Sequence, residues 1–250
     1  MSRLLWIAAL VGACACQSGI PTVVDPGPGP GPDPGPDPGA TRRIVFLVDH
    51  PNTPNPSERM IRDRLAPLGI PVVLIDDDAF VPSDTTGCRM VVMSKTVEDS
   101  LIANKLKGCP CGILFWEENQ QMLRMLATMN NDGSDGAFWH KPGQNIWVRP
   151  EAPAELRDGL SGTIAFYDRL SEISYGRRLE VPAHATVVAE LGVPGDHKVI
   201  YFLDRGQALA DGTPAAGKRF YFGLHRDTFL FLTPEALRLF DAAVQWTLQE

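Results

Sequence analysis

The chain has 250 residues, with 30 acidic against 23 basic side chains and a formal net charge of −7. That acidity is mild and spread out, and no lysine/arginine cluster interrupts it, which excludes the electrostatic footprint of a nucleic-acid binder or a polybasic membrane contact. Beyond the N-terminal segment, no apolar run approaches the roughly 20 residues needed to span a bilayer.

Residues 1–16, MSRLLWIAALVGACAC, have the layout of an export signal. Arg3 is a short basic region, Leu4 to Val11 an apolar core, and small residues then run into cysteine. Val11-Gly12-Ala13-Cys14 resembles the bacterial lipobox, which implies cleavage before Cys14 and lipidation of that residue. Cys16 lacks the large aliphatic side chain that the motif wants three positions before the cut. The expected product is exported and lipid-anchored to the bacterial cell envelope. Ala15 is not the acidic residue of inner-membrane retention, so the outer membrane is favoured. Residues 17–41 follow as a Pro/Gly-rich linker whose glycines and prolines oppose a packed core and regular ladders. At about 3 Å per residue, such a stalk holds a domain on the order of 50 Å from its anchor.

From residue 42 to 250 the composition is that of one folded domain. Arg43-IVFLVD-His50 is an apolar run bounded by polar residues, the pattern of a strand buried on both faces. Ser57 to Leu68 reads as an amphipathic helix closed by Gly69. Pro71-VVLIDDD and Met90-VVMS are further buried strands. A helix from Thr96-Val-Glu-Asp99 to Lys107-Gly108 leads into Gly112-ILFWEE, and Asn119 to Met129 reads as the next helix. This alternation predicts a parallel sheet covered on both faces. In the second half, Thr163-IAFYD, Ala185-TVVAEL, Lys198-VIYFLD and Lys218-RFYFGL read as short strands added antiparallel to one edge. Thr233-Pro234-Glu235 starts a last helix, with Thr as N-cap and Pro at the first position.

These strands, the strand-turn-helix at ILFWEENQQML and the closing stretch Arg219-FYFGLHRDTFLFLTPEALRLFDAAVQWTL resemble the class I glutamine amidotransferase-like superfamily. Gly223-Leu224-His225, Ala243-Val244-Gln245-Trp246 and Arg149-PEAPAELRDGLSGTIAFYD are similar to its ThuA-like (trehalose utilisation) branch. The resemblance implies an α/β fold, flavodoxin-like, with helices on both faces of a parallel sheet and antiparallel edge additions. The family's nucleophilic cysteine sits on a tight elbow, where this chain has Phe115-Trp116-Glu117-Glu118-Asn119. A carboxylate at Glu117 cannot form the thioester, so glutamine amidotransferase chemistry is not expected.

Ligands of doubly wound sheets bind outside the carboxyl ends of the strands. That rule gathers Asp49 and His50, Asp76 to Asp78, Ser94 and Lys95, Glu117 and Glu118, and His225 and Arg226. Within this set, Glu117 and His225 are the candidate acid/base pair, and Asp49, His50, Ser94, Glu118 and Arg226 the candidate ligand-binding groups. These residues come from separate loops without the helical spacing of a metal site, so neither metal nor cofactor is expected. His140, His184 and His197 read as structural or solvated. The run Asn130-Asn131-Asp132-Gly133-Ser134-Asp135-Gly136 lacks the ligands of a calcium loop at its third and twelfth positions.

Cys88 lies six residues before Ser94, and Cys111 six before Glu117. If the third and fourth strands pair in that register, Cys88 reaches Cys109 or Cys111 at the sheet's amino edge. Together these observations predict a non-catalytic envelope domain that binds a carbohydrate or another envelope protein. The alternative is a ThuA-like enzyme acting on sugars through Glu117 and His225.

Overall fold

The computed structural model describes residues 42–116, 128, 140–177, 180–192 and 197–249. Cys14, the linker, Glu117, Glu118, the predicted helix at 119–129 and the 130–136 loop lie outside the described residues. Among the described residues, no helix is long and apolar enough to cross a membrane.

The first parallel strands are β1 (Arg43–Val48), β2 (Val72–Asp76), β3 (Cys88–Met93) and β4 (Gly112–Phe115). Phe46 pairs with Leu74 on one side and Val92 on the other, so β1 lies between β2 and β3. A fifth parallel strand, β12 (Arg219–Phe222), pairs with β4. The parallel core thus runs β2-β1-β3-β4-β12. That is the 2-1-3-4-5 order of a flavodoxin-like fold, with its switch point between β1 and β3. The burial of Ile44 to Val48 and of Met90 to Met93 follows, because both faces of these strands are covered.

Helix α1 (Pro56–Leu65) begins one residue earlier than the Ser57 start read from the sequence. Asn55 accepts from the Glu58 amide, and the Glu58 carboxylate accepts from the Asn55 amide, a reciprocal capping box. A short 3-10 turn over Ala66–Leu68 continues it to Gly69, which closes it in the left-handed conformation at φ 68°. Helix α2 (Asp99–Ile102), extended by a 3-10 turn at Ala103–Leu106, links β3 to β4. The winding reverses between the α1 and α2 crossovers, and right-handed connections therefore place these helices on opposite faces.

Strands β5 (His140–Gly143) and β8 (Ser171–Ser174) form a separate antiparallel pair. Strands β6 (Asn145–Val148), β7 (Gly162–Ala165), β10 (Thr186–Leu191) and β11 (His197–Leu203) continue the main sheet beyond β12, all antiparallel. The short strand β9 (Gly176–Arg177) pairs with the start of β11. The strand expected at Lys218 is a correction: β12 is not an antiparallel edge addition but an interior strand, parallel to β4. It lies between β4 and β11, and all four of its residues are buried.

The short helix α3 (Ala154–Arg157) precedes β7, and α4 (Pro234–Leu248) ends the domain. Thr233 caps α4 as its sequence implies, accepting from the Ala236 amide. Leu239, Phe240, Ala243, Val244 and Trp246 are buried along one face, and Arg64 holds Asp241 through two 2.6 Å hydrogen bonds, strapping α1 to α4.

At the amino edge a Cys88–Cys111 disulfide leaves Cys109 as the buried free thiol. The ladder pairs Met90 with Gly112, one residue away from the register assumed from the cysteine spacing. The bridge still forms because Cys111 precedes β4 and β3 is irregular opposite Arg43 and Ile44.

Candidate functional site

Two polar constellations occupy the carboxyl end of the sheet, and the first lies at the β1/β3 switch point. Ser94 and Thr96 both donate to Glu58 Oε1 at 2.7 Å, and the Asn55 amide donates to Oε2 at 2.8 Å. Glu58 and Ser94 are both buried. The chain's own carboxylate therefore takes the hydroxyl that the sequence offers to a ligand. Asp49 donates its amide to Thr96 Oγ1, and His50 turns outward with its Nδ1 3.2 Å from Asp49 Oδ1, both side chains substantially exposed.

Asp77, just after β2, is buried and accepts the Glu98 amide at 2.5 Å. Burial pushes its carboxyl above the usual range; the Glu98 amide opposes this, and the nearby Asp49 charge adds to the rise. A carboxyl whose folded pKa is raised stabilises the fold below its unfolded pKa and loses that contribution as pH rises through the folded value. Asp77→Asn, which keeps an acceptor for Glu98, is therefore expected to raise Tm by a few degrees at pH 7. The gain should vanish near pH 4, as read by thermal unfolding at both pH values. An equal gain at both would mean that charge is not its origin.

The second constellation is built around His225. Strand β12 is followed by Gly223, whose amide donates to Val199 and whose carbonyl accepts from Ser174. A Cβ here would stand 2.3 Å from the Ser174 oxygen and 2.8 Å from the Val199 oxygen, so only glycine permits this approach. β8 is thereby drawn across the end of β12, carrying Glu172 over the turn that follows. In that turn the His225 amide donates to Thr228 Oγ1, which also shares a hydrogen bond with the Tyr167 hydroxyl. Arg226 takes a left-handed φ of 40° and is exposed.

His225 Nε2 lies 2.9 Å from Glu172 Oε2, and His140 Nε2 lies 3.3 Å from that same oxygen. The two imidazole rings are 4.4 Å apart, tilted by 36°. The structure thus joins His225 to His140, which the sequence suggests is structural or solvated, and to Glu172, which sequence reasoning missed. Ser171-Glu172-Ile173-Ser174 holds a single apolar residue, the buried Ile173, which is too little to mark a strand in the sequence. A carboxylate beside a buried imidazole can orient it as a base, accept a ligand hydroxyl, or share a cation with it.

A groove of about 620 Å³ lies elsewhere, between α1 and α4, lined by Met60, Arg64, Phe240, Asp241 and Gln245 among others. Its Arg64–Asp241 pair serves as the helix strap, which makes the strand-end cluster the better candidate for chemistry.

No family model matches the chain, and no curated protein matches it. Among solved structures it is similar to a glutamine amidotransferase from Methylobacillus flagellatus, at 11% identity with a TM-score of 0.39. That alignment covers 83% of this chain and 91% of the other. The fold assignment stands on the strand order: five parallel strands as 2-1-3-4-5, continued by antiparallel strands on the β12 side.

Proposed function

We propose that this protein is a non-catalytic, amidotransferase-like binding module, held on the cell envelope by a lipid on Cys14 and a Pro/Gly-rich stalk. It takes a carbohydrate or the surface of another envelope protein at the carboxyl ends of its strands, around His225 and Glu172. The observation that carries this reading is the use of Glu58 to saturate Ser94 and Thr96. With Ser94 and Thr96 engaged from within, the histidine–carboxylate cluster is, among the described residues, the strand-end group that joins a buried imidazole to an accessible carboxylate. A ThuA-like enzyme acting on sugars is the second reading. It is favoured by the 2.9 Å contact that orients a buried histidine on a carboxylate.

Thermal unfolding of the detergent-solubilised full-length chain with a saccharide panel separates these readings. A ligand of the native state raises Tm by mass action, by about 2.7 kcal/mol of stability at a hundredfold excess over Kd. A saccharide-dependent rise that His225→Ala and Glu172→Gln both lose, with no sugar consumed, is the expected result. Turnover lost in His225→Ala would establish the enzyme instead. No response to any saccharide would leave the protein surface as the ligand, to be read by crosslinking in intact cells.

A further inference from the structure

We propose that His140 Nε2, Glu172 Oε2 and His225 Nε2 form a three-ligand site for a divalent transition metal of the zinc type. It rests on the strand-end site proposed above, but needs no saccharide. Two imidazoles and one carboxylate are a donor set suited to Zn2+ and its neighbours rather than to Mg2+ or Ca2+, which prefer oxygen.

The spacing fits as well as the chemistry. Donor atoms about 2.0–2.1 Å from a tetrahedral ion stand about 3.3 Å from one another, and about 2.9 Å in octahedral geometry. Here Oε2 lies 3.3 Å from one Nε2 and 2.9 Å from the other, and all three donors fall within 4.8 Å of one another. The donors reach the site from three separate elements, each fixed by backbone hydrogen bonds. His140 and Glu172 are held by the β5–β8 ladder, which pairs His140 with Ser174 and Pro142 with Glu172. The ladder is docked on β12 by the Ser174-to-Gly223 bond, and His225 is held by its amide bond to Thr228. Little rearrangement is needed to bring the three donors around an ion.

Exposure is graded across the set. The His225 side chain is 8% accessible, that of His140 25% and that of Glu172 43%. The accessible Glu172 carboxylate gives an ion a path to the site from solvent, and three protein ligands are the number that catalytic zinc sites pair with a water or ligand oxygen. Metal binding needs the lone pair on each Nε2, so protons compete and affinity falls as the imidazoles protonate.

The full-length chain, stripped of metal with a chelator, is titrated with Zn2+ and separately with Co2+ as a spectroscopic probe. About one equivalent retained per chain after desalting, visible Co2+ bands of low-symmetry coordination and a Zn2+-dependent rise in Tm are expected. Even groups that only orient a metal ligand are worth on the order of 10–100-fold in affinity, so Glu172→Gln and His140→Ala should each weaken binding by at least about 100-fold. Both sites of change are partly exposed, and the metal-free Tm of each variant reports its folding. If His225→Ala does not fold, these two carry the test. Cys109→Ser and His184→Ala should bind as the wild type does. Failure to retain metal, or loss of it in Cys109→Ser with retention in Glu172→Gln, overturns the proposal. Metal bound without any saccharide response would leave the site standing while removing the carbohydrate reading.

Discussion

Replacing Arg219 with methionine is expected to destabilise the domain by about 2–5 kcal/mol, since it strips buried backbone carbonyls of their donor at about 1–3 kcal/mol each. Arg219 is 1% exposed in the interior strand β12. Its guanidinium donates to the carbonyls of Lys107, Cys109 and Lys218 at 3.0 to 3.1 Å, with longer contacts to Leu106 and Cys111. The Lys107, Cys109 and Cys111 carbonyls lie between the 3-10 turn after α2 and the start of β4, whereas Lys218 precedes β12 and its carbonyl also accepts from the Ile113 amide. A cation among converging carbonyl dipoles is favourable in the same way as one at a helix C-terminus. Burial nevertheless lowers the Arg219 pKa to about 10, with Cys109 opposing that shift. The side chain is thus held at a cost, which its hydrogen bonds offset. Methionine fills similar volume and removes that cost, but takes the guanidinium donor from the Lys107 and Cys109 carbonyls at about 1–3 kcal/mol each. The orphaned oxygens win. Urea unfolding at constant m should show the loss as a lowered midpoint. Arg219→Lys, with one donor head in place of a fork, should recover only part of it. A loss under about 1 kcal/mol would mean that water reaches these carbonyls once the guanidinium is gone.

The parts of the fold that could be read from sequence are those whose environment is local to one segment. The runs at 43–48 and 90–93 declare themselves because a parallel strand covered on both faces is apolar at nearly every position, whereas 72–76, expected to be buried, is the half-buried edge strand. The caps at Gly69 and Thr233 were equally legible, since each depends on a single residue type. The place of β12 was not. Nothing within Arg219–Phe222 says whether its neighbour is β4 or an edge strand, because pairing is decided by segments more than 100 residues away. Strands β5 and β8 were missed for another reason. HKPG and SEIS carry too few apolar residues to signal a strand, and they form one by pairing with each other. The site inherits that difficulty. His225 stood out at the end of an apolar strand, but Glu172 and His140 become its neighbours only through the β5–β8 ladder. Ser94 was correctly placed at the strand end, while its engagement by Glu58 depended on a capping box that begins one residue before the helix.

Breaking the Cys88–Cys111 bridge should cost about 3 kcal/mol and leave the His225 cluster unchanged. The bridge closes a sequence separation of 23 residues, and loop-closure entropy for a loop of that length gives about 3 kcal/mol at 25 °C. For a domain of this size, that corresponds to a Tm lower by roughly 6–12 °C. The enclosed segment is β3, α2 and the turn into β4. The constraint therefore acts on the denatured chain by keeping two neighbouring parallel strands near each other, a contact that is otherwise slow to find. Cys88→Ser and Cys111→Ser should lose equal stability, and the double variant no more than either alone, because one bond is shared. Cys109→Ser should lose little, since Cys109 is not part of the bridge. The bridge lies at the amino edge of the sheet, and Glu172 and His225 lie beyond its carboxyl end. Reduction should consequently lower Tm while metal and ligand affinities measured well below the new Tm stay fixed. If affinity fell in step with stability, the two ends of the sheet would be coupled through β4 and β12. A stability loss near zero would instead mean that the reduced, denatured chain already holds β3 and β4 together.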